Sequence, residues 1–227
     1  MMISGFRVYT FARGTRRAKL ASSEVVLCYH AVSTRWEHRL SISPELLLRQ
    51  VRLLRRFRPV RASFDDAFRS AAAVFPALEQ LGVRVQIFVC TGYAGDGRPL
   101  TIPELAGDDP KQLVTMAWDE LRAHAERGVG IGSHGVSHAH LTRLSDDELR
   151  RELTDSKAAL EDELGRPCRE LAYPYGEHDE RVRRFTRAAG YERAYGLHRD
   201  GADALALRRL DLYRRHTPVR TLLRLYM

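Results

Sequence analysis

Along the middle of the chain, short apolar runs alternate with helical patterns, and this restricts the fold to one class. Val25–Tyr29, Val60–Phe64, Val83–Val89, Val129–Ser133, Arg169–Tyr173, Tyr191–Tyr195 and Leu205–Tyr213 make about seven candidate strands. Between them, Pro44–Phe57 carries Leu46, Leu47, Val51, Leu54 and Phe57 at helical spacing. A second helix is expected from about Ala67 to Leu81, ending at Gly82, and a third over Trp118–Arg127, stopping at Gly128. Ser145–Leu164 is the strongest: Ser145 and Glu148 form a capping box, and Gly165 with Pro167 ends the helix. Such βα units predict a (β/α) barrel or an open parallel sheet, and both architectures gather their chemistry at the carboxyl ends of the strands. Residues 91–114 form a Gly/Pro/Asp-rich loop, and loops of this length are more often functional than idle.

Size and composition bound the rest. A chain of 227 residues, 44% of them apolar, suits one globular domain with a proper core. No apolar run approaches the roughly 18 residues needed to span a bilayer. Residues 1–23 lack the continuous apolar stretch of a secretory signal. They are read as a basic extension preceding a catalytic body over 24–227. Cys28, Cys90 and Cys168 show no paired spacing, so neither a disulfide framework nor a cysteine zinc site is indicated. Together these features suit a cytoplasmic protein, with room for contact at the inner face of the membrane. The net charge of +8 is concentrated at the ends: residues 207–227 carry six arginines against Asp211. Basic ends could make weak peripheral contact with an anionic membrane, or be only a solvated arginine-rich surface; no nucleic-acid partner is expected.

The polar residues follow the strand-end rule. Tyr29–His30, Asp65–Asp66, His134 with His138, and Tyr173-Pro174-Tyr175-Gly176 each fall just past a predicted strand. His134 and His138 are spaced H-x-x-x-H, which on one helical turn puts both imidazoles on one side. Alone that pair is a weak signal. Its small-residue surroundings, Gly130 through Gly135, strengthen it, because backbone can approach closely there. Asp65–Asp66 can be a metal ligand plus a base, or equally an N-cap and first-turn acid of the helix expected at Ala67. Two imidazoles and one carboxylate leave an open position on a metal, and a second carboxylate supplies a base, which together imply hydrolysis of an amide or ester. His30 is compatible with either a core or a substrate-facing position, whereas Trp118 and Phe88 read as core.

The sequence resembles the polysaccharide deacetylases, the NodB-homology carbohydrate esterases. Ser63-Phe64-Asp65-Asp66-Ala67, His134-Gly135-Val136-Ser137-His138 and Ala172-Tyr173-Pro174-Tyr175 match that family's three motifs in order and spacing. The likeness spans about residues 25–213. It implies a distorted (β/α)7 barrel and removal of an N-acetyl or O-acetyl group from an amino sugar, oligosaccharide or lipid-linked glycan. It also implies that Asp66, His134 and His138 hold a divalent metal, usually zinc, and that Asp65 activates the attacking water. The backbone N–H of Tyr175 would stabilise the oxyanion. Beside the roles the resemblance implies, Tyr173 and His30 stand as candidate substrate-binding residues.

Three departures carry consequences. Ala67 stands where the motif has glycine, which requires a negative φ there. Ala172 stands where the motif has the arginine that supports the catalytic aspartate, so His30 or another arginine must partner Asp65. The late Leu-His that supplies the general acid is matched in letters only by Leu197-His198, with His216 as a later histidine lacking the leucine; His198 is taken as the acid. Two further functions fit this pattern: a metal-dependent amidohydrolase for a non-sugar amide, and a non-catalytic barrel that binds glycan or anionic lipid.

Overall fold

The computed structural model describes residues 24–198 and 203–224; the basic extension over 1–23 lies outside them. Strand β1 (Val25–Tyr29) leads through two short strands, β2 (Ala31–Val32) and β3 (Ser41–Ile42), into helix α1 (Pro44–Leu54). Then follow β4 (Val60–Phe64), a 3-10 helix (Arg69–Val74), α2 (Phe75–Gln80), β5 (Arg84–Val89), α3 (Trp118–Glu126) and β6 (Gly130–Ser133). The chain continues through α4 (Asp146–Leu164), β7 (Glu170–Ala172), α5 (Glu180–Ala188), β8 (Arg193–Gly196), β9 (Leu207–Arg208), β10 (Leu210–Asp211) and α6 (Pro218–Arg224).

Every pairing in the main sheet is parallel, in the order β10-β1-β4-β5-β6-β7-β8-β9. The two edges of that order, β9 and β10, are consecutive in the chain and separated only by residue 209. Leu207 and Arg208 pair with β8, while Leu210 and Asp211 pair with β1. One extended stretch therefore switches partners at residue 209 and nearly closes the sheet. Counted as one strand, it makes the seventh of the expected barrel. The backbone N–H of Arg209 still bonds to Gly196 (3.0 Å), and that of Leu212 to Cys28 (3.0 Å). The seam is laced on both sides.

The helices pack outside the sheet for the reasons their patterns gave. In α4 the Ser145 hydroxyl accepts from the Glu148 N–H, and Gly165 ends the helix at φ 62°. Its Leu149, Leu153 and Leu160 are buried, each contributing roughly 1.5–3 kcal/mol relative to exposure. The helix expected over Ala67–Leu81 is broken into the 3-10 helix and α2, with Pro76 in the first turn of α2. Proline suits a helix start, so it marks a new beginning there. At the C-terminus α6 lies on α1, with Leu222 packed against the main core. Cys28, Cys90 and Cys168 are all buried free thiols. Among the described residues no helix is long and apolar enough to cross a membrane.

The long loop after β5 folds into a cover of its own. Leu100, Ile102, Leu105 and Leu113 form a second small core with Trp36 and Phe68. The loop is pinned by the Phe68–Thr115 and Pro99–Val114 bridges. Ile102 and Glu104 thereby reach the carboxyl ends of the strands, where the site lies.

Candidate functional site

Asp65 and Asp66 follow β4 directly. No helix begins at Ala67: the pair sits in a turn, and the 3-10 helix is preceded by Phe68. The N-cap reading is therefore corrected, and both carboxylates are free for other work. The expectation of a negative φ at Ala67 is also corrected, since Asp66 has φ 65° and Ala67 φ 52°. Among the described residues the other non-glycine positions of positive φ are His138 (63°) and Tyr175 (60°). A left-handed non-glycine residue costs roughly 1–2 kcal/mol. Asp66, His138 and Tyr175 line one pocket and Ala67 is the chain neighbour of Asp66, as strain held at a functional site does.

The helical-turn account of His134 and His138 is replaced by a loop. Glu152, on α4, organises it. Its carboxylate accepts from the Val136 N–H (2.7 Å), the Ser137 N–H (3.1 Å) and the Ser137 hydroxyl (2.5 Å). Gly135, at φ 79°, allows the approach, because a Cβ there would meet Glu152 Oε2 at 2.9 Å. From the other side the Thr91 and Gly92 N–H groups bond to the carbonyls of Gly135 and Val136. This frame turns His138 back towards His134, with ring centroids 5.0 Å apart.

Asp66, His134 and His138 offer ligand atoms within 4.8 Å of one another, all buried. Asp66 Oδ1 lies 3.3 Å from His138 Nε2 and 3.6 Å from His134 Nε2. Two ligands bound at about 2.0–2.1 Å to one tetrahedral ion stand about 3.3 Å apart, so the spacing fits. His134 Nδ1 is 2.7 Å from the Ala172 carbonyl. A carbonyl only accepts, so Nδ1 carries the proton and the Nε2 lone pair faces Asp66. Burial pushes His134 down to about 3 and His138 to about 4, so both are neutral near pH 7. Burial, then the neighbouring Asp65 charge, pushes Asp66 well up. A buried carboxylate beside two neutral imidazoles, with the His134 lone pair turned towards it, is what a cation would relieve.

Asp65 is treated differently. Arg209, at the barrel seam and 1% exposed, grips it with both terminal guanidinium nitrogens, Nη1 to Oδ1 at 2.5 Å and Nη2 to Oδ2 at 2.7 Å. Nη1 also donates to the Ser63 hydroxyl (3.2 Å), and the guanidinium lies over the Phe88 ring at 5.2 Å. Burial alone would raise the Asp65 carboxyl; the Arg209 charge, the His134 side chain and the Arg209 hydrogen bonds outweigh it and hold the group well below the carboxylate range. Arg209 is thus the charge partner that Ala172 cannot be. Ala172 is itself fully buried in a cluster with Phe88. The sequence signal was an arginine in an otherwise apolar terminal strand, with nothing to separate it from its neighbours Arg208 and Arg214.

The cavity over these groups, about 130 Å³, is lined by His30, Asp65, Asp66, His134, His138 and Tyr175, among others. His30 is the histidine besides the two candidate ligands that reaches it, and burial pushes it down to about 4. Two expected residues are not brought in. Tyr173 is fully buried with its hydroxyl donating to the Leu205 carbonyl (2.8 Å), so it belongs to the core. His198 is exposed, and the cavity is reached by its neighbour Leu197 instead. His216 bonds through Nδ1 to the Tyr213 N–H, away from the cavity. At the rim, Tyr175 packs edge-on to His138 (4.6 Å) and flat against His140 (3.7 Å), and its hydroxyl donates to Glu104 (3.1 Å).

A near-closed parallel barrel with an Asp-His-His cluster and a second, arginine-bound aspartate at its strand ends defines a deacetylase-type barrel. The chain belongs to the polysaccharide deacetylase family, whose family model matches residues 55–194. Over 134 residues it is 22% identical to the putative polysaccharide deacetylase YxkH of Bacillus subtilis, a match covering 59% of this chain and 42% of that relative's length. The fold is similar to that of the Streptococcus pyogenes deacetylase PplD in complex with acetate, with a TM-score of 0.70, 18% identity, and 88% and 96% of the two chains covered. IcaB from Ammonifex degensii superposes with a TM-score of 0.71 at 20% identity, covering 89% of this chain and 97% of its own.

Proposed function

We propose that this chain is a metal-dependent hydrolase that removes an N-acetyl group from an amino sugar within a glycan. The observation that carries this reading is the division of labour between adjacent aspartates. Asp66 lies against the Nε2 atoms of two neutral imidazoles, while Asp65 is locked in its ionised form by Arg209. The family membership and the acetate complex of the PplD relative point the same way.

In this reading Asp66, His134 and His138 hold a divalent ion, most simply zinc given the nitrogen and oxygen donors. When bound, the ion supplies a Lewis acid that polarises the acetamide carbonyl and makes water a usable nucleophile near neutral pH. Asp65 takes the proton from the attacking water. Arg209 fixes both Asp65 oxygens, so the base cannot rotate out of line. The turn at Pro174–Gly176, left-handed at Tyr175 and Gly176, presents the Tyr175 N–H to the oxyanion. His30, neutral at working pH, exchanges hydrogen bonds with the sugar.

Purified wild type is expected to hold about one zinc-class ion per chain, and a His134→Ala, His138→Ala double variant none. Elemental analysis beside an acetate-release assay checks this. Wild type that takes up no metal even after reconstitution would sink the reading.

Glu152→Gln tests the frame of the ligand loop. Loss of the anionic acceptor of three donors is expected to weaken metal affinity about 10- to 100-fold, the range for outer partners of metal ligands. A competitive chelator titration measures it. Unchanged affinity would mean that the Thr91 and Gly92 hydrogen bonds alone hold the loop.

A further inference from the structure

Beside the site lies a second cavity, about 430 Å³, lined by Glu37, His38, Arg39, Asp211, Tyr213, Arg214 and Arg215. Arg39 and Tyr213 also line the cavity over the two aspartates, so the two spaces share a wall. The charges in the second cavity do not cancel. Glu37 pairs with Arg214 at 3.3 Å, and Asp211 pairs with Arg224 on α6. That consumes both carboxylates. Among the described residues Arg39 and Arg215 have no acidic partner; Arg215 lies over the Tyr213 ring at 5.4 Å. Two guanidinium groups with no acidic partner among the described residues therefore flank a groove that opens into the reaction site.

We infer that this groove binds a phosphate or diphosphate group carried on the amino sugar, so that the substrate is a phosphorylated glycan or glycolipid headgroup. The inference rests on the amide-hydrolase reading of the adjoining site and names the class of its substrate. Guanidinium suits phosphate because its planar fork matches two oxygens at once. A phosphate monoester carries roughly −1.5 to −2 at neutral pH and can answer two cations, where a carboxylate answers one. The volume exceeds what a lone anion needs and leaves room for the linkage from sugar to phosphate. The shared wall at Arg39 sets the anion next to the sugar whose acetamide lies over Asp65.

The test is a binding titration of the full-length, metal-free protein, so that phosphate is not drawn to an ion at the histidines. N-acetylglucosamine 1-phosphate is compared with the neutral methyl N-acetylglucosaminide and with inorganic phosphate. The phosphorylated sugar is expected to bind about tenfold or more tighter than either, by an advantage that shrinks as salt rises. The advantage should disappear in an Arg39→Ala, Arg215→Ala double variant and survive in part in the double lysine variant. Equal affinity for the two sugars, an advantage that persists in the alanine variant, or inorganic phosphate binding as well as the phosphorylated sugar would each overturn the inference. Acetate release by the metal-loaded protein separates the two layers. A binding preference without acetate from either sugar leaves the groove standing and removes the hydrolase reading; equal turnover of both with equal affinity does the reverse.

Discussion

Replacing Arg209 with methionine is expected to cost about 3–5 kcal/mol of stability, the penalty for leaving one member of a buried ion pair alone. For a chain of this size that is a fall of about 10 °C or more in Tm. Methionine keeps much of the volume at the barrel seam, so the loss reports the charge rather than a hole. The pH dependence gives the effect its signature. In wild type the folded Asp65 carboxyl lies below its unfolded value. Its stabilising contribution is therefore present above the unfolded pKa of about 4 and is lost as pH falls through the folded value. Without Arg209, burial pushes Asp65 upward instead. The variant's deficit should then be greatest near neutral pH and narrow in acid, where the stranded carboxyl takes up its proton. Thermal melts across pH 4–7 check this, and a Tm gap independent of pH would show that Arg209 acts by packing alone. The acid limb of the rate profile should also move to higher pH in the variant.

The second large effect concerns Asp65 itself. Asp65→Asn is expected to lower acetate release by about 10²–10⁴-fold, the usual worth of a positioned general base. Metal content should be unchanged, because the Asp66, His134 and His138 atoms do not depend on that carboxylate. Measuring both on one preparation makes the result unambiguous. Turnover within tenfold of wild type would remove Asp65 from the role of base, and a loss of metal would place it among the ligands.

Much of this architecture was legible from local chemistry. The apolar runs marking β1, β4, β5 and β6 and the capped helix before Gly165 are decided by neighbours in the chain, so pattern and propensity suffice. The strand-end placement of Asp65, Asp66, His134, His138 and Tyr175 was legible too, because a parallel barrel has one reactive rim and all five fall on it. Three assignments depended on longer-range partners. Tyr173 lies within the third motif, but its ring points into the core and its hydroxyl is taken by Leu205. His198 matched the acid's dipeptide, yet the strand before it delivers Leu197 to the cavity and leaves the histidine outside. His138 joins His134 through a left-handed turn that Glu152 stabilises, a contact between residues far apart in sequence.

By itself, the sequence determined the class of fold, the family and the candidate metal and base residues, since motif order and hydrophobic period are properties of the chain alone. Only the tertiary structure decided which of the 37 basic residues answers Asp65. Arg209 lies 144 positions from Asp65 and reaches it because the seventh strand changes partners at that residue to close the barrel. Pairing across a closed sheet joins the two ends of the chain's core, and no local pattern encodes which side chain will face inward at the seam.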